Sequence, residues 1–350
     1  MNDTQTETQN SYQALQSGAA YFVLPARHVS QFSGPKAAEA LNGLVTNDVV
    51  KLAVGKGLYA VALAPKGKLL ADVVILRTQP ETFLIETSAL AGAEWFAMIK
   101  KYVNPRLAAY QDVSADYVEI GVYGPKAAAM VARLGVVGSS DASLATAMEE
   151  ALNHWTDWSH ASWQMPGTEA RLIRAPHLGS TPGFVLLIEW SSLDIVRRRL
   201  DRMGATLADD SVWSLAQLES ARPVFGLDMD ATTIPQEANL DSWHAISFDK
   251  GCYTGQETVA RIHFRGHVNK HLRGLVSDKP IPAGADVRDA SGKVVGDVRR
   301  SGLSPQFGFI AIAMIRRELT DSAEVSINVG DEAISARIVS LPFSSGNAAP

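Results

Sequence analysis

The sequence predicts an α+β protein made of two pseudo-repeated ferredoxin-like halves and a C-terminal six-stranded β-barrel. The first observation is a repeated pentapeptide, Gly-Pro-Lys-Ala-Ala, which occurs at 34–38 and again at 124–128. The second is a change in the hydrophobic pattern after Arg261, where short apolar segments alternate with turns, as is typical of a small barrel. The third is the length of 350 residues, which suggests two or three domains.

Each copy of the pentapeptide follows an alternating apolar stretch and opens an alanine-rich helix, with proline at a position that suits a helix start. Both copies then continue in a β-α-β-β-α-β pattern, the split βαβ arrangement. The second copy has extra residues at 154–166, which we interpret as a surface excursion with locally packed tryptophans. The predicted strands and second helices are 69–77, 82–86 and 89–103 in the first half, and 169–174, 184–190 and 193–203 in the second.

The barrel region contains six short apolar segments separated by turn sequences such as Pro-Ala-Gly and Ala-Ser-Gly-Lys. These predicted strands are 272–276, 286–289, 293–299, 307–314, 323–327 and 333–339. The predicted domain boundaries are a disordered tail at 1–18, a first half at 19–115, a second half with a pocket loop and a cysteine motif at 116–260, the barrel at 261–343 and a tail at 344–350.

Composition excludes several classes of protein. The net charge of −5 gives no global basic field, so we expect no direct sequence-specific nucleic-acid binding. No apolar run approaches the roughly 20 residues of a membrane helix, and the polar residues 1–11 are not a secretory signal. One cysteine rules out an internal disulfide and suits a reducing compartment, so we expect a cytoplasmic protein that does not contact membranes.

We expect no bound metal. Three histidines are spaced by four, at His263, His267 and His271, which on a helix would form one face. The glycine at 266 and the strand-like run that follows it argue against such a helix, and no carboxylate or thiolate stands in register with them. The single cysteine also cannot hold an iron–sulfur cluster within one chain, because such clusters take about four thiolates.

The single cysteine, Cys252, lies in a polar stretch with the sequence Lys-Gly-Cys-Tyr-Thr-Gly-Gln-Glu. Lys250 precedes the thiol by two residues, and a nearby ammonium favours the thiolate form. An ordinary polar turn with an incidental thiol is the simpler interpretation. In the functional interpretation, four further residues shape the loop and hold it in place: Gly251, Gly255, Gln256 and Glu257.

A second polar and irregular segment, 217–240, lies between the second half and the cysteine motif. Long irregular segments inside compact domains are usually functional or disordered, and the apolar residues in this one argue against disorder. Glu219 and Arg222, three residues apart, can pair on a helix face, which is the structural interpretation. The alternative is that Glu219 offers its carboxylate to a ligand.

These two segments resemble the YgfZ family, the folate-binding-like proteins that support iron–sulfur enzymes and are relatives of the glycine-cleavage T-protein. The cysteine motif matches that family's signature. The segment at 219–240 resembles the pattern E-x₆-G-x-D followed by P-x-E-x-x-L that both groups share, and 44–49 and 67–76 resemble first-domain elements. The resemblance covers nearly the whole chain.

The resemblance implies a T-protein-like trefoil arrangement and tetrahydrofolate, or a folate derivative, as the cofactor. Glu219 would accept two parallel N–H bonds from the pterin, as a carboxylate does from a guanidinium. Cys252 and Lys250 would carry the chemistry. The other residues to which the resemblance assigns folate binding are Arg222, Asp228, Asp72, Asn47 and Tyr253.

Two departures from the T-proteins bear on function. T-proteins carry paired aspartates where this chain has Ala71 and Asp72, and an aspartate where it has Cys252. Both favour a YgfZ-like accessory protein that binds folate and supports iron–sulfur client enzymes or assembly proteins, including tRNA-methylthiolating radical enzymes. The alternatives are a folate-dependent aminomethyl or one-carbon transferase, and a scaffold that binds only a protein partner.

Overall fold

The computed structural model describes residues 3–136, 142–330 and 332–348. The chain begins with helix α1 (Asp3–Ser17), followed by strand β1 (Ala20–Val23). The predicted disordered tail at 1–18 is therefore wrong for the described residues. The helix is polar, but Tyr12 and Leu15, three residues apart, share one face and are buried in the core. Two apolar anchors on one face are enough to hold a helix whose composition resembles a tail.

The first half forms a five-stranded antiparallel sheet in the order β3-β4-β5-β2-β6. Its last four strands have the ferredoxin-like order, and an additional strand at 57–63, which was not predicted, extends one edge. The elements are β2 (Arg27–Ser33), α2 (Ala37–Leu44), β3 (Gly57–Leu63), β4 (Leu69–Gln79), β5 (Thr82–Ser88), α3 (Gly92–Tyr102) and β6 (Ala109–Asp112).

The second half forms a six-stranded sheet in the order β11-β1-β7-β10-β9-β8. Strand β1 precedes the first half in sequence but pairs here, with Ala20 opposite both Tyr123 and Thr206. The predicted surface excursion at 154–166 contains an edge strand of this sheet. The elements are β7 (Tyr117–Tyr123), α4 (Ala127–Gly135), α5 (Ala142–Asn153), β8 (His160–Met165), β9 (Thr168–Arg174), β10 (Gly183–Glu189), α6 (Leu193–Arg202) and β11 (Thr206–Leu207).

The repeated pentapeptide adopts the same turn in both halves. Gly34 and Gly124 have φ angles of 143° and 121°, which L side chains rarely adopt. A Cβ at Gly34 would lie 2.6 Å from the carbonyl oxygen of Leu107, and one at Gly124 would lie 2.6 Å from that of Gly18. The repeat is therefore a structural one, because each glycine lets a neighbouring backbone pass close to the start of a helix.

The barrel is closed, in the strand order β12-β15-β14-β13-β16-β17. All six predicted strands are present. The barrel begins at Lys270 rather than at residue 261, because 256–265 is helical. The elements after the second half are α7 (Asp210–Glu219), a 3₁₀ turn (Pro235–Ala238), α8 (Gln256–Arg265), β12 (Lys270–Ser277), β13 (Asp286–Arg288), β14 (Val294–Ser304), β15 (Gly308–Arg316), β16 (Glu324–Val329), β17 (Glu332–Val339) and α9 (Ser345–Ala348).

A single hydrophobic core joins the three units. It contains Phe22 from the second sheet, Val74 from the first, Ile310 from the barrel wall and Trp213 from α7. Separate clusters fill the helix-covered side of each sheet and the barrel interior. Each sheet therefore has one face covered by helices and one face that packs against this shared core. The barrel wall packs against the same core.

Candidate functional site

A cavity of about 1260 Å³ lies between α1, β3, α7 and the loops that join the three units. Its volume is large enough for a drug-sized ligand. Part of the predicted C-terminal tail, Ser344 and Ser345, also lies on its wall, and the last two residues of that tail lie outside the described residues. The side chains that give the cavity its chemistry are Asn47, Tyr59, Trp158, Glu219, Arg222 and Trp243.

Glu219 is held at the cavity wall by the end of helix α7. The N-cap of the helix is Asp209, whose carboxylate accepts hydrogen bonds from the amides of Ser211 and Val212. Glu219 is its last residue and is only 8% exposed. Two residues later Ala221 has a φ of 55°, which turns the chain away from the helix direction.

The Glu219 carboxylate has partners from opposite ends of the chain. Its Oε1 accepts hydrogen bonds from Tyr12 Oη at 2.8 Å and from Ser304 Oγ at 2.6 Å. Burial raises the pKa of Glu219 above its usual value, and the bonds from Ser304 and Tyr12 partly offset this by stabilising the charged form. The alternative in which Glu219 pairs with Arg222 on a helix face is wrong, because α7 ends at Glu219.

Arg222 lies between three aromatic rings. Its guanidinium carbon is 4.6 Å from the ring centroid of Tyr59, 5.1 Å from that of Trp243 and 5.4 Å from that of Trp158. These are cation–π contacts, and in a buried site each is worth up to about 2 kcal/mol. Trp158 therefore forms part of the cavity wall rather than only local packing, which the spacing of the tryptophans in the sequence did not reveal.

Asn47 connects the cavity to the cysteine motif. Its side-chain amide donates to the carbonyl oxygens of Tyr59 at 2.9 Å and His244 at 2.7 Å. The backbone carbonyl of Asn47 accepts a hydrogen bond from the Lys250 ammonium at 2.9 Å. The cavity thus brings together three of the predicted folate residues, Asn47, Glu219 and Arg222.

The other three predicted folate residues lie elsewhere. Asp228 is fully buried and forms a two-pronged pair with Arg300, at 2.8 Å to Nε and 2.7 Å to Nη2. It therefore links the irregular segment to the barrel and does not line the cavity. Asp72 lies 3.8 Å from Arg27, and Tyr253 packs beside Lys250.

Asp72 belongs to an ionic cluster in the interior of the molecule. Arg27 experiences the charges of Asp72, Glu86 and Glu119, and these charges raise its pKa against the effect of burial. Burial also raises the pKa of both Glu86 and Glu119. Tyr59 experiences the charges of Asp72 and Arg27, so these two members of the cluster lie behind the aromatic wall of the cavity. The single carboxylate that replaces the paired aspartates is thus engaged with an arginine.

The cysteine motif is fastened to the first half by Lys250. Its ammonium donates to the carbonyl oxygens of Asn42 and Val45, both at 2.6 Å, and of Asn47 at 2.9 Å. All three donors of the ammonium are therefore used on backbone oxygens rather than on the thiol. Burial lowers the pKa of Lys250 to about 8. Cys252 is exposed on the loop that this anchor holds.

The two glycines of the motif differ in their surroundings. Gly255 has a φ of 81° and precedes α8, and a Cβ there would lie 2.5 Å from the carbonyl oxygen of Ala64. A Cβ at Gly251 would point into open space, with no atom of another part of the chain within 4 Å. Gln256 and Glu257 form the first turn of α8, where the carboxylate of Glu257 is exposed. Burial raises the pKa of Tyr253 to about 12.

Two further observations concern metals and membranes. In the part of the chain that the structure describes, no group of three or more histidine, cysteine or acidic side chains could hold a metal ion. The helices within the described ranges include none long and apolar enough to cross a membrane.

Comparison with known proteins gives matches over almost the whole chain. Residues 2–250 match the model of the GCVT N-terminal domain, and residues 270–344 match that of the glycine cleavage T-protein C-terminal barrel domain. An aminomethyltransferase from Saccharopolyspora erythraea is 27% identical over 346 residues, covering 96% of this chain and 90% of that protein. The tRNA-modifying protein YgfZ from Klebsiella pneumoniae is 29% identical, covering 90% of each.

A solved structure has the same fold. The glycine cleavage system aminomethyltransferase T from Bartonella henselae superposes with a TM-score of 0.82 at 21% identity, covering 97% of this chain and 90% of that one. This likeness confirms the predicted T-protein-like arrangement of two α+β halves and a closed barrel.

Proposed function

Because the chain belongs to the glycine cleavage T-protein family, we propose that its central cavity binds tetrahydrofolate and that the protein is a folate-binding accessory factor for iron–sulfur enzymes. The observation that carries the proposal is that the Glu219 carboxylate and three aromatic side chains line the same cavity. The proposal takes the accessory role from the resemblance of the cysteine motif to the YgfZ family, and one relative bears that name.

The cavity has the chemistry that a pterin requires. A pterin is flat and carries N–H donors along its 2-amino-pyrimidinone edge, so it suits aromatic faces beside a buried acceptor. Tyr59, Trp158 and Trp243 supply the faces, and Glu219 supplies a carboxylate, a stronger acceptor than a neutral group. Arg222, held between those rings, supplies positive charge for an anionic part of the ligand.

The chain's own residues would bind and orient the ligand. Asn47 fixes the strand that carries Tyr59, because its amide bonds the Tyr59 carbonyl on one side and the His244 carbonyl on the other. Tyr59 and Trp158 stack with their centroids 6.4 Å apart and so keep one wall flat. A bound tetrahydrofolate supplies nitrogen atoms that carry one-carbon units.

The position of the thiol favours an accessory role over aminomethyl transfer. Cys252 is exposed and does not line the cavity, so it is available to a partner protein. A thiolate is a nucleophile and a metal ligand, and a single one needs ligands from a second protein to hold a cluster. On strand β4, outside the cavity lining, Ala71 stands where T-proteins carry one of the paired aspartates, and Asp72 is engaged with Arg27.

The test is calorimetry of tetrahydrofolate binding to the purified protein and to Glu219→Gln, which keeps the side-chain shape and removes the charge. We expect affinity to fall about tenfold or more, equivalent to about 1.4 kcal/mol. The matched control is Glu324→Gln, because Glu324 also accepts a serine hydroxyl but lies exposed on the barrel. The control should bind like the wild type.

Other results would favour the alternatives. Turnover of methylene-tetrahydrofolate by the purified protein alone would support the one-carbon transferase and contradict the accessory role. If the wild-type protein does not bind tetrahydrofolate, both folate functions are excluded and the protein-binding scaffold remains.

A further inference from the structure

We propose that helix α1 and the barrel are part of the ligand site, with Tyr12 and Ser304 as positioning residues that anchor Glu219 through one carboxylate oxygen and leave the other for the ligand. The ligand part of this inference rests on the proposed function, whereas the anchoring part does not. Tyr12 and Ser304 both lie outside the sequence patterns that resemble the T-proteins.

The two donors converge on one atom from distant parts of the chain. Tyr12 lies in α1 and Ser304 ends strand β14, and both hydroxyls reach Oε1 of Glu219, at 2.8 Å and 2.6 Å. All three residues are buried, with exposures of 9%, 2% and 8% respectively. Water therefore competes little for these bonds, which strengthens them relative to exposed ones.

The direction of the Ser304 bond is fixed by its other contacts. Its hydroxyl oxygen accepts the backbone N–H groups of Gln306 at 3.0 Å and Phe307 at 2.9 Å. A hydroxyl has one proton and two lone pairs, so both lone pairs are used and the proton is committed to Glu219. Ser304 is therefore a fixed donor, and its bond favours the charged form of the Glu219 carboxylate against the effect of burial.

This anchoring changes how a ligand can meet the carboxylate. Two bonds already occupy Oε1 of Glu219, and neither of them uses Oε2. A carboxylate oxygen has two lone pairs, so Oε1 is saturated. A ligand N–H should therefore bind Oε2 alone, and the two parallel N–H bonds expected from the sequence would require one of the anchoring hydroxyls to leave.

Helix α1 also separates two cavities. Its residues Leu15 and Gln16 line the large cavity, and Gln9, Tyr12 and Gln16 line a second cavity of about 1070 Å³ between α1, α7 and β14. The bond between Tyr12 and Glu219 crosses the wall between them. The N-terminal helix thus closes the carboxylate side of the large cavity.

The first test uses the protein without ligand. The carboxyl carbon of Glu219 is titrated by NMR in protein with ¹³C-labelled glutamate, in the wild type, Tyr12→Phe and Ser304→Ala. Each variant loses a donor to the charged form, so we expect the pKa of Glu219 to rise in both. Tyr21→Phe is the matched control, because Tyr21 donates to the Asp201 carboxylate at 2.6 Å and does not line either cavity.

The second test measures tetrahydrofolate affinity of the same variants. We expect Tyr12→Phe and Ser304→Ala each to weaken binding by about fivefold to tenfold, because each variant keeps one of the two bonds that anchor Glu219. Ser304→Thr, which keeps the hydroxyl, should restore part of the affinity. Tyr21→Phe should stay within about twofold of the wild type.

The outcomes separate the two proposals. An unchanged Glu219 pKa in Tyr12→Phe and Ser304→Ala would overturn the inference, whatever the affinity for folate. A shifted pKa together with weaker binding supports it. A shifted pKa in a protein that does not bind tetrahydrofolate overturns the proposed function, while still supporting Tyr12 and Ser304 as the residues that position Glu219.

Discussion

The cavity and the cysteine motif are built in opposite ways. Tyr59 and Glu219 line the cavity, and Tyr12 and Ser304 hold Glu219 there. These four residues come from four separate elements and lie up to about 300 positions apart in sequence. The motif is eight consecutive residues, and its thiol is exposed. The motif is therefore visible in the sequence and simple in structure, whereas the cavity is nearly invisible in the sequence and depends on the whole fold.

The difference shows that a conspicuous sequence feature need not be the chemical centre of a molecule. Lys250, the residue expected to tune the thiol, donates to three backbone oxygens of the first half. Lys250 thus fastens the loop to the first half, while the side chain of Cys252 stays exposed. Asn47 is the contact between the two regions, because its carbonyl binds Lys250 and its side chain lines the cavity.

The largest effect is expected at Gly255, where the motif depends on backbone geometry. Gly255→Ala should lower the free energy of unfolding by about 3 kcal/mol, because the residue has a positive φ and its Cβ would meet the Ala64 carbonyl. Gly251→Ala is the matched control and should change it by less than about 0.5 kcal/mol, because its surroundings are open. Urea unfolding measures both. Equal effects at the two glycines would contradict the structural role assigned to Gly255.

The next effect tests whether the two regions are coupled. Lys250→Met should lower the free energy of unfolding by about 2 kcal/mol, because buried carbonyls lose their donor. It should also weaken tetrahydrofolate binding, since Asn47 loses one of its anchors. Lys51→Met is the control, because Lys51 is exposed and forms only a surface pair with Asp48. Unchanged folate affinity in Lys250→Met would show that the regions are independent.

The stability difference between the wild type and Lys250→Met should depend on pH. Burial lowers the pKa of Lys250 to about 8, below the usual 10.5, so between these values the unfolded chain binds more protons than the folded one. Stability contributed by this lysine therefore rises with pH in that window, by up to about 1.4 kcal/mol per unit. Urea unfolding at pH 7.5 and 9.5 measures it, and a difference that shrinks with pH would contradict the assignment.

The smallest effect on the folded protein is expected at Cys252. Cys252→Ser should change the free energy of unfolding by less than about 0.5 kcal/mol, because the side chain is exposed. Folate affinity should stay within about twofold of the wild type, whereas the activity of iron–sulfur client enzymes should fall in a strain that relies on this copy. In the native wild type, the thiol should react fully with a thiol reagent. A large loss of folate affinity would place Cys252 in the cavity after all.

Local patterns in the sequence predicted most of the architecture. The pentapeptide at 34–38 and 124–128 marked the two halves, since the same glycine geometry is required at both sites. The six barrel strands followed from alternation and turn residues, which act over a few positions. The helix at 3–17 was missed because its stability comes from two buried side chains rather than from its own composition.

The features of the candidate site also divide into those that the sequence shows and those that only the tertiary structure shows. The sequence by itself determined that Glu219 and Cys252 lie in unusual polar segments, because neighbouring residues are enough to show this. Only the tertiary structure decided that Arg222 lies between three aromatic rings, that Asp228 binds the barrel and that Tyr12 and Ser304 hold Glu219. The reason is that a hydrogen bond needs its partners within about 3 Å in space, and in this cavity the partners come from elements that are distant in sequence.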